Sequence, residues 1–309
     1  MKVKELFDIW LNKYCKLSLK IRSFNKYDNF INLHINPILG EYEITEITSD
    51  ILQDFISLKL KEGNLKTKGA LSSNTVFGIA SVLKQGFKFA LMQDLIIKDP
   101  TLSLKLPQAT EKEVQALTRD EQKTIEEYCL KHNKSNYLGI VICLYTGIRL
   151  GELLALTWDD INFEDKLLYI KKTSYTSKVN GKNQIVIDKP KTKKSNRIIP
   201  IPNKLLVLLD IQKRASSCDY IIATKQNKMV ETRSYQRTFE SILSKCGIKH
   251  YNFHCLRHTF ATRALELGMD IKTLSEILGH TNVAITLNRY AHSLLDYKIQ
   301  EMNKIGTLL

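Results

Sequence analysis

Arginine, lysine, histidine and tyrosine recur in four distinctive local frames in the second half of this 309-residue sequence. The first frame is Thr146-Gly147-Ile148-Arg149-Leu150-Gly151-Glu152, which sets Arg149 in an apolar neighbourhood at a glycine-flanked helix junction. A guanidinium there needs a partner, because an unpaired buried charge is costly. One reading is a plain ion pair with Glu152. The second frame is Lys191-Thr192-Lys193-Lys194-Ser195-Asn196-Arg197. Charge runs in turns are usually solvated; the functional reading is a mobile lysine delivered to a phosphate. The third is His254-Cys255-Leu256-Arg257-His258. On a helix, His254 and Arg257 share a face. Both suit phosphate oxygens, arginine through its planar fork of donors and histidine through a single N–H. A zinc site on His250, His254 and His258 beside Cys255 is a rival, but no C-x-x-C pair and no H-E-x-x-H accompany them. The fourth frame is Leu278-Gly279-His280 followed by Tyr290-Ala291-His292. Taken singly, His280 is a helix-end histidine and Tyr290 an ordinary core or surface tyrosine.

Two sets of elements must carry these frames. The first hundred residues read as helices. Leu6, Trp10, Tyr14 and Leu17 recur at helical spacing. A second helix starts after Ser23 and stops before Pro37, a third is capped by Ser49 and ended by Gly63, and a long fourth is capped by Ser73. Asp99-Pro100 and Pro107 break the pattern, which places a helical domain at 1–106 and a linker at 107–117. The second domain, 118–309, opens on Thr118-Arg119-Asp120-Glu121, a capping box. Helices fill 119–156. Leu167–Ile170, Ile185–Ile187 and Ile198–Ile201 then read as three strands of one small antiparallel sheet, with Asn180-Gly181 as a hairpin turn. From Lys204 the chain is helical again. The expected fold class is mainly α with a small antiparallel β-sheet.

Charge points to the partner. Lys and Arg number 46 against 32 Asp and Glu, a formal +14, which favours a polyanion, nucleic acid before an anionic membrane. The most apolar stretch, 137–156, is interrupted by Arg149 and Glu152 and is no membrane span, and the start is no signal peptide. The six cysteines read as small core residues of a cytoplasmic protein.

Together the frames TGIRLGE, KTKKSNRIIPI, HCLRHTFAT, LGH and NRYAH resemble the tyrosine recombinase (phage-integrase) family, and the two-domain layout resembles it over the whole chain. The resemblance implies a helical, SAM-like core-site binding domain and a catalytic domain that together form a C-shaped clamp on duplex DNA. It implies strand cleavage and rejoining through a 3′-phosphotyrosine, without cofactor, metal or ATP. Tyr290 is then the nucleophile, and Arg149 and Arg257 clamp the scissile phosphate. Lys191, with Lys193 as runner-up, is the general acid for the leaving 5′ oxygen. His254 is the base or hydrogen-bond partner of Tyr290, His280 supports the phosphate, and Glu152 orients local groups.

The same resemblance implies double-stranded DNA as partner and a homotetramer on two DNA sites, docked through the segment after Leu294. A directionality factor or a host DNA-bending protein is the implied accessory, in a bacterial cytoplasm. The sequence begins directly with the core-binding helices, so an arm-binding domain is not expected, and the long hairpin between Tyr169 and Ile201 favours a mobile-element integrase. Other functions remain open at this point. They are Xer-like dimer resolution or inversion by the same chemistry, a type IB topoisomerase, and a non-catalytic DNA-binding factor.

Overall fold

The computed structural model describes residues 1–108, 115–132, 134–179, 181–188, 196–290 and 302–303, without the side chains of 288 and 289. The chain divides into two compact units, Met1–Lys112 with Ser177–Asn183, and Glu113–Thr176 with Gln184–Leu309.

The first unit is helical. α1 (Val3–Ile9) runs through a π turn into α2 (Lys16–Ser18). α3 (Ile21–Phe30) passes through a second π turn, Ile31–Ile35, into α4 (Asn36–Leu39). α5 (Ser49–Glu62) and α6 (Ser73–Met92) complete it. The buried face of α6 presents Val76, Ile79, Leu83 and Phe87, and Phe87 packs edge-on against Phe7 at 6.2 Å. Thr48 and Ser72 cap α5 and α6, one residue ahead of the expected serines. The expected stop before Pro37 is also corrected. The wider π turn resets the hydrogen-bond register, so Pro37 falls in the first turn of α4, where its missing N–H costs little.

In the second unit α7 (Arg119–His132) opens on the expected capping box: the Thr118 N–H donates to Glu121 Oε2 at 2.8 Å, and the Glu121 N–H to Thr118 Oγ1 at 3.1 Å. α8 (Ser135–Thr146) is apolar nearly all round and runs through the core. α9 (Leu150–Ala155) follows, then β1 (Ile161–Asn162), β2 (Leu167–Ile170), β3 (Thr173–Val179), β4 (Lys182–Asp188) and β5 (Arg197–Pro200), of which residues 177–179 of β3 and 182–183 of β4 fall in the first unit. The helical remainder comprises α10 (Asn203–Arg214), α11 (Thr232–Lys245), α12 (Cys255–Glu266), α13 (Ile271–Leu278) and α14 (Val283–Tyr290). Tyr235, Phe239, Ile140, Leu153 and Leu256 fill the core between α8, α9, α11 and α12. Each such large side chain contributes about 1.5–3 kcal/mol on burial.

The fold class is as expected, but the strands divide differently. β2 pairs antiparallel with β1 and with β5, in the register Leu168↔Ile199 and Ile170↔Arg197, while β3 and β4 form a separate two-stranded sheet. The burial pattern explains the split. Leu168, Ile170 and Ile199 alternate inward onto the core, whereas β4 is exposed along most of its length.

Candidate active site

α8 ends at Gly147, whose φ of +63° lies in the left-handed region that favours glycine, and whose N–H donates to Cys143 O. A Cβ there would lie 2.4 Å from Phe260 and 2.9 Å from Leu278. The chain turns at this point, buries Ile148, and delivers Arg149 as the residue before α9. The Arg149 N–H donates to Glu152 Oε2 and its Nη1 to Oε1, both at 2.9 Å, while Nη2 donates to Gly279 O at 3.3 Å. The Arg149 side chain is still 38% exposed, so its guanidinium keeps an open edge.

Glu152 is buried and shared. Arg197, at the start of β5, donates from Nη1 to Oε1 at 3.0 Å and from Nη2 to Oε2 at 2.9 Å, and from Nε to Ile277 O at 2.5 Å. Burial alone would raise the Glu152 carboxyl, but the hydrogen bonds and charge of Arg197, followed by the charge of Arg149, outweigh it and hold the group at about 2. Glu152 thus forms the ion pair with Arg149 and a second one with Arg197. Among the described residues the guanidiniums of Arg149, Arg197 and Arg257 surround this carboxylate, which leaves a positive excess suited to an anion.

Arg257 is 2% exposed. Its Nη1 donates to Gly147 O and its Nη2 to Leu278 O, both at 2.8 Å, and Nη2 also contacts His280 Nε2 at 2.9 Å. Burial, and next the positive charge of Arg149, lower the guanidinium to about 9, and it stays cationic at neutral pH. Because an arginine only donates, His280 Nε2 must accept. The proton of this neutral imidazole then sits on Nδ1 and is donated to Thr286 Oγ1 at 2.7 Å.

Tyr290 ends α14 and is 3% exposed. It packs in a small cluster with Ala261, Ala264, Leu265, Leu274 and Leu278. Its hydroxyl lies 2.8 Å from His258 Nδ1 and acts electrostatically on Arg257. His254 occupies the N-cap of α12, and its ring meets that of His258 edge-on at 4.6 Å.

Arg149 is thus bonded to Glu152 and Arg257 to His280, the two pairs meet at the backbone carbonyls of Leu278 and Gly279, and Tyr290 stands on the histidine face of α12. The Tyr290 hydroxyl meets His258, one turn along from His254, the residue that the resemblance gives as its base or hydrogen-bond partner. Lys191 and Lys193 lie outside the described residues, as does the segment after Leu294 apart from residues 302–303. Arg197 and Thr286 had no role read from sequence. A signal for Arg197 existed: Arg197 and Ile199 are the inward positions of one strand, so this arginine had to find a buried partner. Among the described residues no group of three or more His, Cys, Asp or Glu side chains could hold a metal ion, and no helix is long and apolar enough to cross a membrane. Cys15, Cys129, Cys143 and Cys255 are buried core residues, and burial pushes their thiols up.

The model of the Phage integrase family matches residues 115–296, and that of the phage integrase N-terminal SAM-like domain matches residues 2–60. A XerC-like tyrosine recombinase of Caldanaerobacter subterraneus subsp. tengcongensis is 29% identical over 98% of this chain and 82% of its own length. The transposase of transposon Tn916 from Enterococcus faecalis is 29% identical over 72% of this chain, which spans 60% of that protein. Among solved structures, the Tn1549 transposon integrase in complex with a circular intermediate DNA superposes with a TM-score of 0.81. The superposition covers 99% of both chains at 23% identity, a likeness of fold.

Proposed function

This chain belongs to the Phage integrase family, and on that premise we propose that it is a site-specific DNA recombinase of a mobile element, which cuts and rejoins duplex DNA through a phosphotyrosine at Tyr290. The observation that carries the reading is the convergence of Arg149, Arg257 and His280 beside the Tyr290 hydroxyl, with a positive excess among them.

Direct displacement at a phosphodiester needs a nucleophile in line, neutralisation of charge on the non-bridging oxygens, and a proton for the leaving oxygen. Tyr290 attacks the phosphorus, its Oη forms the bond to the 3′ phosphate, and the 5′ oxygen leaves. Arg149 presents its open edge to the phosphate, and Arg257 forms the other half of the clamp, with His280 beside it. Loss of one such charged donor costs on the order of 3 kcal/mol, about a hundredfold in rate. Lys191, or Lys193 in its place, supplies the proton to the leaving oxygen, and His254 faces the phosphate or the nucleophile from the N-terminus of α12. Glu152 positions both Arg149 and Arg197. The phosphotyrosine conserves the bond, so a 5′ hydroxyl reverses the step without ATP.

Double-stranded DNA is the partner in this reading, consistent with the formal +14. The two domains grip one core site, four copies act on two sites, and a directionality factor or host DNA-bending protein assists in the bacterial cytoplasm. Relatives named for Tn916 and Tn1549 support a mobile element. The XerC-like relative supports a second reading, dimer resolution by the same chemistry.

Covalent trapping tests the proposal. A nicked suicide duplex from the DNA flanking the gene is mixed with the protein and with Tyr290→Phe, and adducts are read on a denaturing gel. An adduct with the unmodified protein alone is the expected result, and an adduct that persists in Tyr290→Phe would overturn it. Cleavage of a single chromosomal site in place of the element's ends would select the second reading.

A further inference from the structure

We infer that His258 is the proton acceptor for Tyr290: it takes the phenolic proton as Tyr290 attacks the phosphorus and returns it when the tyrosine is expelled. The inference rests on the assignment of Tyr290 as nucleophile made above, and it gives His258 a part that the sequence motif alone did not suggest.

The geometry is direct. His258 Nδ1 and Tyr290 Oη are 2.8 Å apart, within the reach required of a general base. An ordinary tyrosine ionises near about 10, so at neutral pH its proton must go to a nearby group. A neutral imidazole that carries its proton on Nε2 accepts at Nδ1, the atom that meets the Tyr290 hydroxyl. Both neighbours of His258 in the chain are tied down. Arg257 is bonded to Gly147 O and Leu278 O, and Thr259 is buried, accepting from the Leu117 N–H at 2.9 Å and donating to Cys255 O at 2.9 Å. His258 therefore stands on a stretch of helix held on both sides, and the His254 ring braces it edge-on. Tyr290 arrives on a different helix, 32 residues later, and is held by packing against α12 and α13.

The proton balance closes in both directions. In cleavage the Tyr290 O–H bond breaks, its proton passes to His258 Nδ1, the Oη–P bond forms and the P–O5′ bond breaks. The leaving oxygen takes its proton from the acid assigned to the lysine run. In rejoining, the 5′ hydroxyl returns its proton to that acid and attacks, and His258 Nδ1–H protonates the departing tyrosine.

The test uses single-turnover covalent trapping on a suicide duplex that the unmodified protein cleaves. His258→Asn places an amide where Nδ1 lies, so it can hold the hydroxyl but cannot take its proton. Adduct formation is expected to slow on the order of a hundredfold, while DNA binding in a gel shift is retained. A 5′-bridging phosphorothiolate, whose leaving sulfur needs no proton, is expected to leave this defect in place. Replacing Tyr290 by a fluorinated tyrosine, which gives up its proton more readily, is expected to restore His258→Asn at least tenfold, a rescue that a purely structural role would not produce. Full-rate trapping by His258→Asn, rescue by the sulfur substrate, or no rescue by the fluorinated tyrosine would each overturn the inference. If His258→Asn fails to bind DNA, His258→Gln is scored by the same criteria. Tyr290→Phe is run in parallel: an adduct there sinks the nucleophile assignment, whereas its absence beside a fully active His258→Asn sinks only the role of His258.

Discussion

Arg257 and Tyr290 face the same site with opposite kinds of support. Arg257 belongs to a wall in which each guanidinium is tied to backbone carbonyls or to Glu152, and these ties link α8, α9, α12, α13 and β5. Tyr290 sits at the end of a short helix, in a small apolar cluster, with its hydroxyl against one imidazole. The guanidiniums of the wall are held in place by the protein itself, which in the proposed reaction limits reorganisation as charge builds on a phosphate. The tyrosine side, which carries the bond-making atom of that proposal, has lighter support. Substitutions in the wall should therefore cost stability and activity together, and those on the tyrosine side mainly activity.

Glu152→Gln tests the wall most severely. It leaves Arg197 buried without its counter-charge, and a loss of about 3–5 kcal/mol is expected in urea unfolding. The same residue sets an acid limit. The Glu152 carboxyl is held at about 2, below its ordinary 4.5, so the stability it contributes is complete above about pH 4.5 and is lost as pH falls through about 2. Between those values Glu152→Gln should show a flatter stability profile than the unmodified protein; parallel profiles would remove Glu152 from the wall. Gly279→Ala comes next. Gly279 has φ +66°, and a Cβ would lie 2.9 Å from Arg197 Cδ, so about 1–3 kcal/mol should be lost and the melting temperature should fall.

Thr286→Val tests the tie between the two sides, because Thr286 is on the tyrosine's helix and receives the His280 proton. Leaving that N–H without a partner should cost about 1–2 kcal/mol and slow adduct formation. Tyr290→Phe should change stability least, by about 1 kcal/mol or less, while abolishing the covalent adduct. A melting temperature that fell as far as in Glu152→Gln would mean the tyrosine side is structural after all, and the contrast between the two supports would collapse.

Much of this was legible along the chain. The frames around Arg149, Arg257, His280 and Tyr290 mark four residues that the fold gathers into the candidate site, and the Thr118–Glu121 capping box lies where the motif put it. The helix starts at Thr48 and Ser72 differ from the reading by one residue, because adjacent hydroxyl residues compete for the same cap. The helix that continues past Pro37 was hidden by a π turn, a register change that no residue type announces. Caps and helix starts are local, set by backbone dihedrals and hydrogen bonds within a few residues, and the sequence specifies them to within a residue.

Distant pairings were decided by the fold. Two histidines one turn apart on α12 have similar local frames, and only the docking of α14, 32 residues later, brings Tyr290 to His258. Arg197 looked like the end of a solvated lysine run until β5 paired with β2 and turned it inward onto Glu152, 45 residues away. Arg149 meets Gly279 across 130 residues. The sequence by itself determined which residues could do phosphate chemistry and which short elements would carry them. Which of those residues meet was left to the tertiary structure, because a local pattern encodes the face a side chain occupies, while its partner depends on how buried faces from distant segments pack together.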